Sequence, residues 1–260
     1  MTTVISKDGT KIAFDKVGTG PAVVLVSGAL SSRASGPFKL AELLASQFTV
    51  YSYDRRGRNE SSDTLPYAVQ REVEDLEAII DDAGGSAYVY GHSSGAALAL
   101  ESTLTLGKKI TKLALYEAPY NADENALKSW KDFGMQLDEL LAAGHRGGAV
   151  ALFLKLIGMP DEQVLAMRET PVWSMFESIA PTLAYDNAVV GQEGIPTNRA
   201  AAIAVPTLVL YGGASYPFMK VVAEALSKAI PHAELRALEG QNHNPKSELL
   251  APVLLEFFGK

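Results

Sequence analysis

Residues Val89-Tyr90-Gly91-His92-Ser93-Ser94-Gly95-Ala96 carry the pattern Gly-x-Ser-x-Gly with Ser93 at its centre. The apolar run before it and the run after it read as a strand, a very tight turn and a helix. Small residues on either side of Ser93 let that turn close and push the serine oxygen out to where a substrate can reach it. The chemistry this suits is nucleophilic attack, but a free serine hydroxyl is a poor nucleophile near neutral pH and needs a base. The chain has four histidines. His92 lies inside the motif, where its side chain is expected to point away from Ser93 and support the turn. His145 falls in a glycine-rich connection and His232 in a loop before a strand, and both are expected to face solvent. His243 follows the last predicted strand, in Glu239-Gly240-Gln241-Asn242-His243. That puts it at the end of the sheet where Ser93 also lies, and makes it the candidate base.

The elements that must position these residues alternate. Residues 2–7 and 10–15 flank Asp8-Gly9, the signal of a two-residue hairpin turn. Ala22 to Val26 is a continuous apolar run, as expected of a strand buried on both faces. Residues 37–46 have helical periodicity, Phe48 to Tyr53 is the next buried strand, and Asp54-Arg55-Arg56-Gly57-Arg58 is a charged turn at its end. A helix over 67–83, with Val69, Val73, Leu76, Ile79 and Ile80 on one face, stops at Gly84-Gly85. Ala87 to Tyr90 enters the serine turn, residues 94–106 leave it as a helix, and Lys112 to Tyr116 is another strand. Strand and helix in alternation imply a mostly parallel sheet with helices on both faces. Ligands of such sheets bind beyond the carboxyl ends of the strands, where Ser93, His243 and the Asp54–Arg58 turn all sit. From about 121 to 200 the strand signal gives way to helices near 124–143, 147–157, 161–168 and 171–184. The expected organisation is therefore an α/β core of residues 1–120 and 201–260 with a helical cap inserted at 121–200. The core resumes with a strand at 207–211, a helix at 218–229, a short strand at 233–237 and a last helix at 246–258.

Composition narrows the function. A chain of 260 residues, 47% hydrophobic and 20% charged, suits one α/β domain carrying an insertion. The net charge of −7 argues against nucleic acid or an anionic membrane as the main partner. With no cysteine, disulfides, thiolate metal sites and cysteine nucleophiles are excluded. The N-terminus lacks an apolar stretch of signal length, and no run approaches the ~18 apolar residues of a membrane span, so the expected location is the cytoplasm. The histidines are scattered, without carboxylates at metal-ligand spacing, and glycine-rich phosphate loops are absent. No cofactor is expected, a small molecule is the expected partner, and the oligomeric state stays open.

Leu25-Val26-Ser27-Gly28, Asp54-Arg55-Arg56-Gly57, Gly91-His92-Ser93-Ser94-Gly95 and Gly240-Gln241-Asn242-His243, in this order, resemble the α/β-hydrolase superfamily over nearly the whole chain. The resemblance implies an α/β-hydrolase fold with Ser93 as nucleophile and His243 as general base. The backbone N–H groups of Ala29 and Ser94 match its oxyanion-hole positions. In this family the Asp54–Arg58 turn braces the loops around the serine. Its dehalogenases and epoxide hydrolases carry aspartate in place of Ser93, which disfavours both activities. Two departures stand out. Many members have His-Gly where this chain has Ser27-Gly28. The triad acid usually follows the strand at 207–211, yet Tyr211-Gly212-Gly213-Ala214-Ser215-Tyr216-Pro217-Phe218-Met219 contains no carboxylate. The base still needs one, to fix its tautomer and stabilise its charged form. Glu117, just after the strand that follows the serine helix, is the best candidate, because some haloalkane dehalogenases and lipases of the superfamily carry their acid there. Asp123 and Glu239 are lesser candidates.

Most large apolar residues of the helical segment are expected to pack its helices together. Trp130, Trp173 and Phe176, with Ser27, Gly28, Phe218 and Met219 from the core, are the candidate pocket residues. The expected activity is hydrolysis of a small or medium uncharged carboxylic ester, or a lactone, through an acyl-enzyme on Ser93. The alternatives are C–C bond hydrolysis, lyase or cofactor-free perhydrolase chemistry at the same residues, or a non-catalytic ligand-binding protein of this fold.

Overall fold

The sheet follows from where the β-branched and aromatic runs fall. In the computed structural model, which describes residues 2–35, 38–121, 123–191 and 193–260, β1 (Thr2–Ile5) and β2 (Lys11–Val17) pair antiparallel with Ile5 opposite Lys11. Their connection departs from the two-residue turn expected at Asp8-Gly9. Ser6 N–H donates to Thr10 C=O at 2.8 Å and Gly9 N–H to Ser6 C=O at 2.9 Å, so Lys7, Asp8 and Gly9 form a three-residue loop. Only Gly9 needs positive φ (88°), and Asp8 Oδ1 accepts the Thr10 N–H at 3.0 Å. A turn followed by one left-handed glycine matches the twist of the strands as well as the two-residue form does.

The chain continues through β3 (Ala22–Val26), α1 (Phe38–Leu44), β4 (Thr49–Tyr53), α2 (Val69–Asp82), β5 (Ala87–His92), α3 (Ser94–Leu106) and β6 (Ile110–Tyr116). Helices α4 (Glu124–Ala142), α5 (Arg146–Leu156), α6 (Asp161–Arg168), α7 (Pro171–Ile179), α8 (Leu183–Val190) and α9 (Thr197–Ala200) follow. The core closes with β7 (Thr207–Gly212), α10 (Pro217–Ala229), β8 (Ala233–Leu238) and α11 (Ser247–Gly259). The eight strands lie in the order β1-β2-β4-β3-β5-β6-β7-β8, and every pair from β4 to β8 is parallel. Alternation along β3 sends Val24 and Val26 to one face, with α2, α3 and α10, and Val23 and Leu25 to the other, with α1 and α11. Both faces are covered at the centre of the sheet, which is why β3 reads as an unbroken apolar run, whereas the edge strand β8, Ala-Glu-Leu-Arg-Ala-Leu, is only partly buried.

The helices between β6 and β7 share a cluster of their own, including Phe133, Leu137, Val150, Leu154, Trp173 and Leu183, and it reaches Leu30 in the loop after β3. The helix expected over 171–184 stops at Ile179. Pro181 removes a backbone donor, the chain makes a 3-10 turn over 180–182, and α8 starts afresh at Leu183. Val189 and Val190 of α8 belong to the cluster of the main core. Among the described residues no helix is long and apolar enough to cross a membrane.

Candidate active site

Ser93 stands between β5 and α3 with φ 57° and ψ −128°, a strained backbone costing on the order of 1–3 kcal/mol. Its N–H donates to Tyr116 C=O at 2.9 Å, and its C=O receives Ala96 N–H at 2.8 Å. Two glycines make this geometry possible. A Cβ on Gly95 would lie 2.3 Å from Val26 O, so only glycine lets α3 start against the end of β3. A Cβ on Gly28 would lie 2.8 Å from Ser93 Cβ, so the loop after β3 passes directly beside the serine. Among the described residues four non-glycines have positive φ. Three of them, Leu30 (51°), Ser93 (57°) and Glu117 (49°), belong to the loops around this site.

His243 Nε2 lies 3.1 Å from Ser93 Oγ, and its Nδ1 lies 2.6 Å from Glu117 Oε2. A carboxylate only accepts, so Nδ1 carries the proton and donates it to Glu117, which leaves the Nε2 lone pair facing the serine hydroxyl. The loop bearing His243 is held by three consecutive carbonyls. Gln241 C=O accepts Ala214 N–H at 2.8 Å, Asn242 C=O accepts the Tyr116 hydroxyl at 2.6 Å, and His243 C=O accepts His92 Nε2–H at 2.7 Å. His92 thus braces the histidine loop as well as the serine turn. Burial pushes its pKa down to about 4, helped by the nearby His243, so its ring is neutral at pH 7 and Nε2 bears the proton. His145 and His232 are exposed, as expected from their loops.

Glu117 is buried at the end of β6. Its Oε1 accepts Gly212 N–H at 2.7 Å, and its Oε2 accepts the Ser215 hydroxyl at 2.8 Å besides the imidazole N–H. The last residue of β7 and the segment after it, which have no carboxylate of their own, supply donors to the one arriving from the neighbouring strand. Asp123 caps α4, accepting Ala126 N–H at 2.9 Å, and Glu239 is exposed, so His243 Nδ1 meets Glu117 and neither of these.

Ser94 is the first residue of α3, where a backbone N–H has no acceptor within the helix. Ala29 follows Gly28 in the loop beside Ser93. Ala29, Leu30, Trp173 and Phe176 share the cluster of the helices between β6 and β7, whereas Trp130 packs with the main core. Ser27 is buried with its hydroxyl unpaired, Met219 is buried on α10, and Phe218 is exposed. Sequence reasoning missed Tyr216, whose ring lies 6.5 Å from that of His243 and whose hydroxyl donates to Ile157 C=O at 2.8 Å. It also missed Ser215 and Asp186. Asp186 is a lone acid within the apolar helix α8, and that isolation was the available signal.

A model of the alpha/beta hydrolase family matches residues 23–252 of the chain. The crystal structure of an alpha/beta hydrolase from Sphaerobacter thermophilus DSM 20745 is 50% identical, with a TM-score of 0.90, over 99% of this chain and 100% of that one. A thermophilic esterase from Thermogutta terrifontis is 21% identical with a TM-score of 0.75, over 99% of this chain and 97% of that one, a likeness of fold. Bifunctional epoxide hydrolase 2 of Sus scrofa is 27% identical over 121 residues, 45% of this chain and 22% of that protein. The chain spans between about a fifth and about a third of the length of the curated relatives it matches.

Proposed function

The chain belongs to the alpha/beta hydrolase family, and we propose that within it the protein is a serine hydrolase of small or medium uncharged carboxylic esters, lactones included. The observation that carries this reading is the hydrogen-bonded line from Ser93 Oγ through both nitrogens of His243 to Glu117 Oε2, at 3.1 and 2.6 Å. Ser93 Oγ attacks the ester carbonyl carbon while His243 Nε2 takes its proton. Glu117 holds the imidazole in the required tautomer and balances the imidazolium that forms. The carbonyl oxygen becomes an oxyanion, held by the N–H groups of Ala29 and Ser94, each worth about 10²–10³ in kcat. Collapse breaks the bond to the alcohol, which leaves with the proton from His243, and the acyl group stays on Ser93. Water, deprotonated by His243, then attacks the acyl-enzyme, and the carboxylic acid is released with Ser93 restored.

In this reading the helices between β6 and β7 cover the substrate, and their apolar cluster lies against Ala29 and Leu30, in keeping with an uncharged acyl chain. The partial likeness to an epoxide hydrolase lends no support to epoxide opening, because the superfamily resemblance gives that chemistry an aspartate where this chain has Ser93. The test is a panel of p-nitrophenyl esters of increasing acyl length against the wild-type protein and Ser93→Ala. Hydrolysis of short and medium esters that disappears in Ser93→Ala is expected. Activity unchanged by the substitution would overturn the reading.

A further inference from the structure

Directly beneath the serine turn the protein buries two cations and two carboxylates, Arg55, Arg58, Glu72 and Asp186. Arg55 is gripped by Glu72 through Nε and Nη2 at 2.6 and 2.7 Å, and its Nη1 donates to Asp186 Oδ1 at 2.6 Å. Arg58 Nη2 reaches both oxygens of Asp186, at 2.9 and 2.8 Å. Removing such ions from water costs several kcal/mol each, and apolar residues of the same volume often serve stability as well. The remaining contacts of the cluster identify what the charges accomplish.

Arg58 Nη1 donates to Gly28 C=O at 2.6 Å, and Asp186 Oδ1 accepts the Ser94 hydroxyl at 2.7 Å. Gly28 C=O and Ala29 N–H belong to one planar trans peptide and point in opposite directions. A guanidinium fixed on that carbonyl therefore sets the direction of the Ala29 N–H on the far side. The same contact polarises the peptide and makes its N–H a better donor. Asp186, through the Ser94 hydroxyl, ties down the residue that supplies the second donor. Both donors are thus referred to one carboxylate on α8, and Arg55 holds that carboxylate from a third direction while its Nη1 also reaches Ser27 C=O at 3.3 Å.

We propose that Arg58 and Asp186 are positioning residues for the oxyanion hole: Arg58 aims the Ala29 N–H through the Gly28 carbonyl, and Asp186 holds Arg58 and Ser94 in register. The inference rests on the ester-hydrolysis reading, in which these two N–H groups meet the oxyanion. It also makes α8 a condition of catalysis, because the hole is fully set only when that helix is docked on the core.

The test variants are Arg58→Lys, which keeps a cation by Asp186 but cannot span from Asp186 to Gly28, and Ser94→Ala, which deletes one hydroxyl and keeps the backbone N–H. Each is compared with the wild type in kcat and KM for p-nitrophenyl butyrate. Each is also titrated with an alkyl trifluoromethyl ketone, which forms a tetrahedral oxyanion on serine, and with the unreactive butyramide analogue of the substrate, which does not. Arg58→Lys is expected to lower kcat by about 10–10²-fold with KM within about threefold, and to weaken the trifluoromethyl ketone in parallel while leaving the amide unchanged. Ser94→Ala should do the same more mildly, by about 3–10-fold. A folded Arg58→Lys with wild-type kcat, or one that weakens ketone and amide alike, would overturn the proposal. If Arg58→Lys does not fold, Ser94→Ala decides by the same criterion. Failure of the underlying reading looks different: Ser93→Ala would retain activity and the wild-type protein would not bind the ketone.

Discussion

Glu117 Oε2 lies 2.6 Å from His243 Nδ1, although the two residues are 126 positions apart and the acid comes from β6, not β7. The parallel register brings this about. His92 pairs with Tyr116 and Tyr116 with Leu210, so Ser93, Glu117 and the segment after β7 emerge side by side. The end of β7 then offers Gly212 N–H and the Ser215 hydroxyl to a carboxylate it does not itself supply.

Glu117→Gln should lower kcat for a short-chain p-nitrophenyl ester by about 10³–10⁴-fold with little change in KM. The amide can still accept from Gly212 or Ser215, but it cannot neutralise the imidazolium, and its NH2 favours the wrong tautomer of His243. Steady-state kinetics of the folded variant check this. Full kcat in Glu117→Gln, with loss in a variant of Asp123 or Glu239, would contradict the assignment.

Gly28→Ala should fold and yet lose about 10²-fold in kcat, because the new methyl meets Ser93 Cβ at 2.8 Å and something at the reacting centre must move. Circular dichroism would establish folding and kinetics the loss. A folded Gly28→Ala with wild-type kcat would place the loop farther from the serine than described.

His92 gives stability a pH dependence whose sign is fixed by its depressed pKa. Its folded value is about 4 against a reference of 6.5. Between those values the unfolded chain binds a proton that the folded one does not. The contribution is therefore present above pH 6.5 and is lost as pH falls toward 4, by on the order of 2 kcal/mol given the residue's partial exposure. His92→Gln retains a donor for His243 C=O without the titration. Thermal unfolding at steps from pH 7 to pH 4 should show Tm falling more steeply in the wild type than in His92→Gln. Parallel curves would contradict a His92 that stays neutral in the fold.

That Ser93, His243 and Glu117 meet was legible in the sequence because each follows a strand and parallel strands present their carboxyl ends together; apolar runs mark β5 and β6, while β8, Ala-Glu-Leu-Arg-Ala-Leu, is marked only by its place after the helix at 217–229. The cradle of Glu117 was not, since Ser215 lies in an ordinary polar loop and Gly212 contributes only a backbone N–H. Asp186 was missed for a related reason. Periodicity carried the helix at 171 through Pro181, and so hid the separate helix that delivers this acid to Arg55 and Arg58. Asp8-Gly9 marks the hairpin but not the length of its loop, because a left-handed glycine ends a three-residue loop as readily as it completes a two-residue turn.

On the reading proposed above, Ser93 is a nucleophile activated by His243. Intact-mass spectrometry after incubation with a fluorophosphonate, followed by peptide mapping, tests it most directly. One phosphonate per chain on Ser93 is predicted, absent in Ser93→Ala and formed far more slowly in His243→Ala. A chain that stays unmodified, or that is modified equally well without Ser93, would contradict the account.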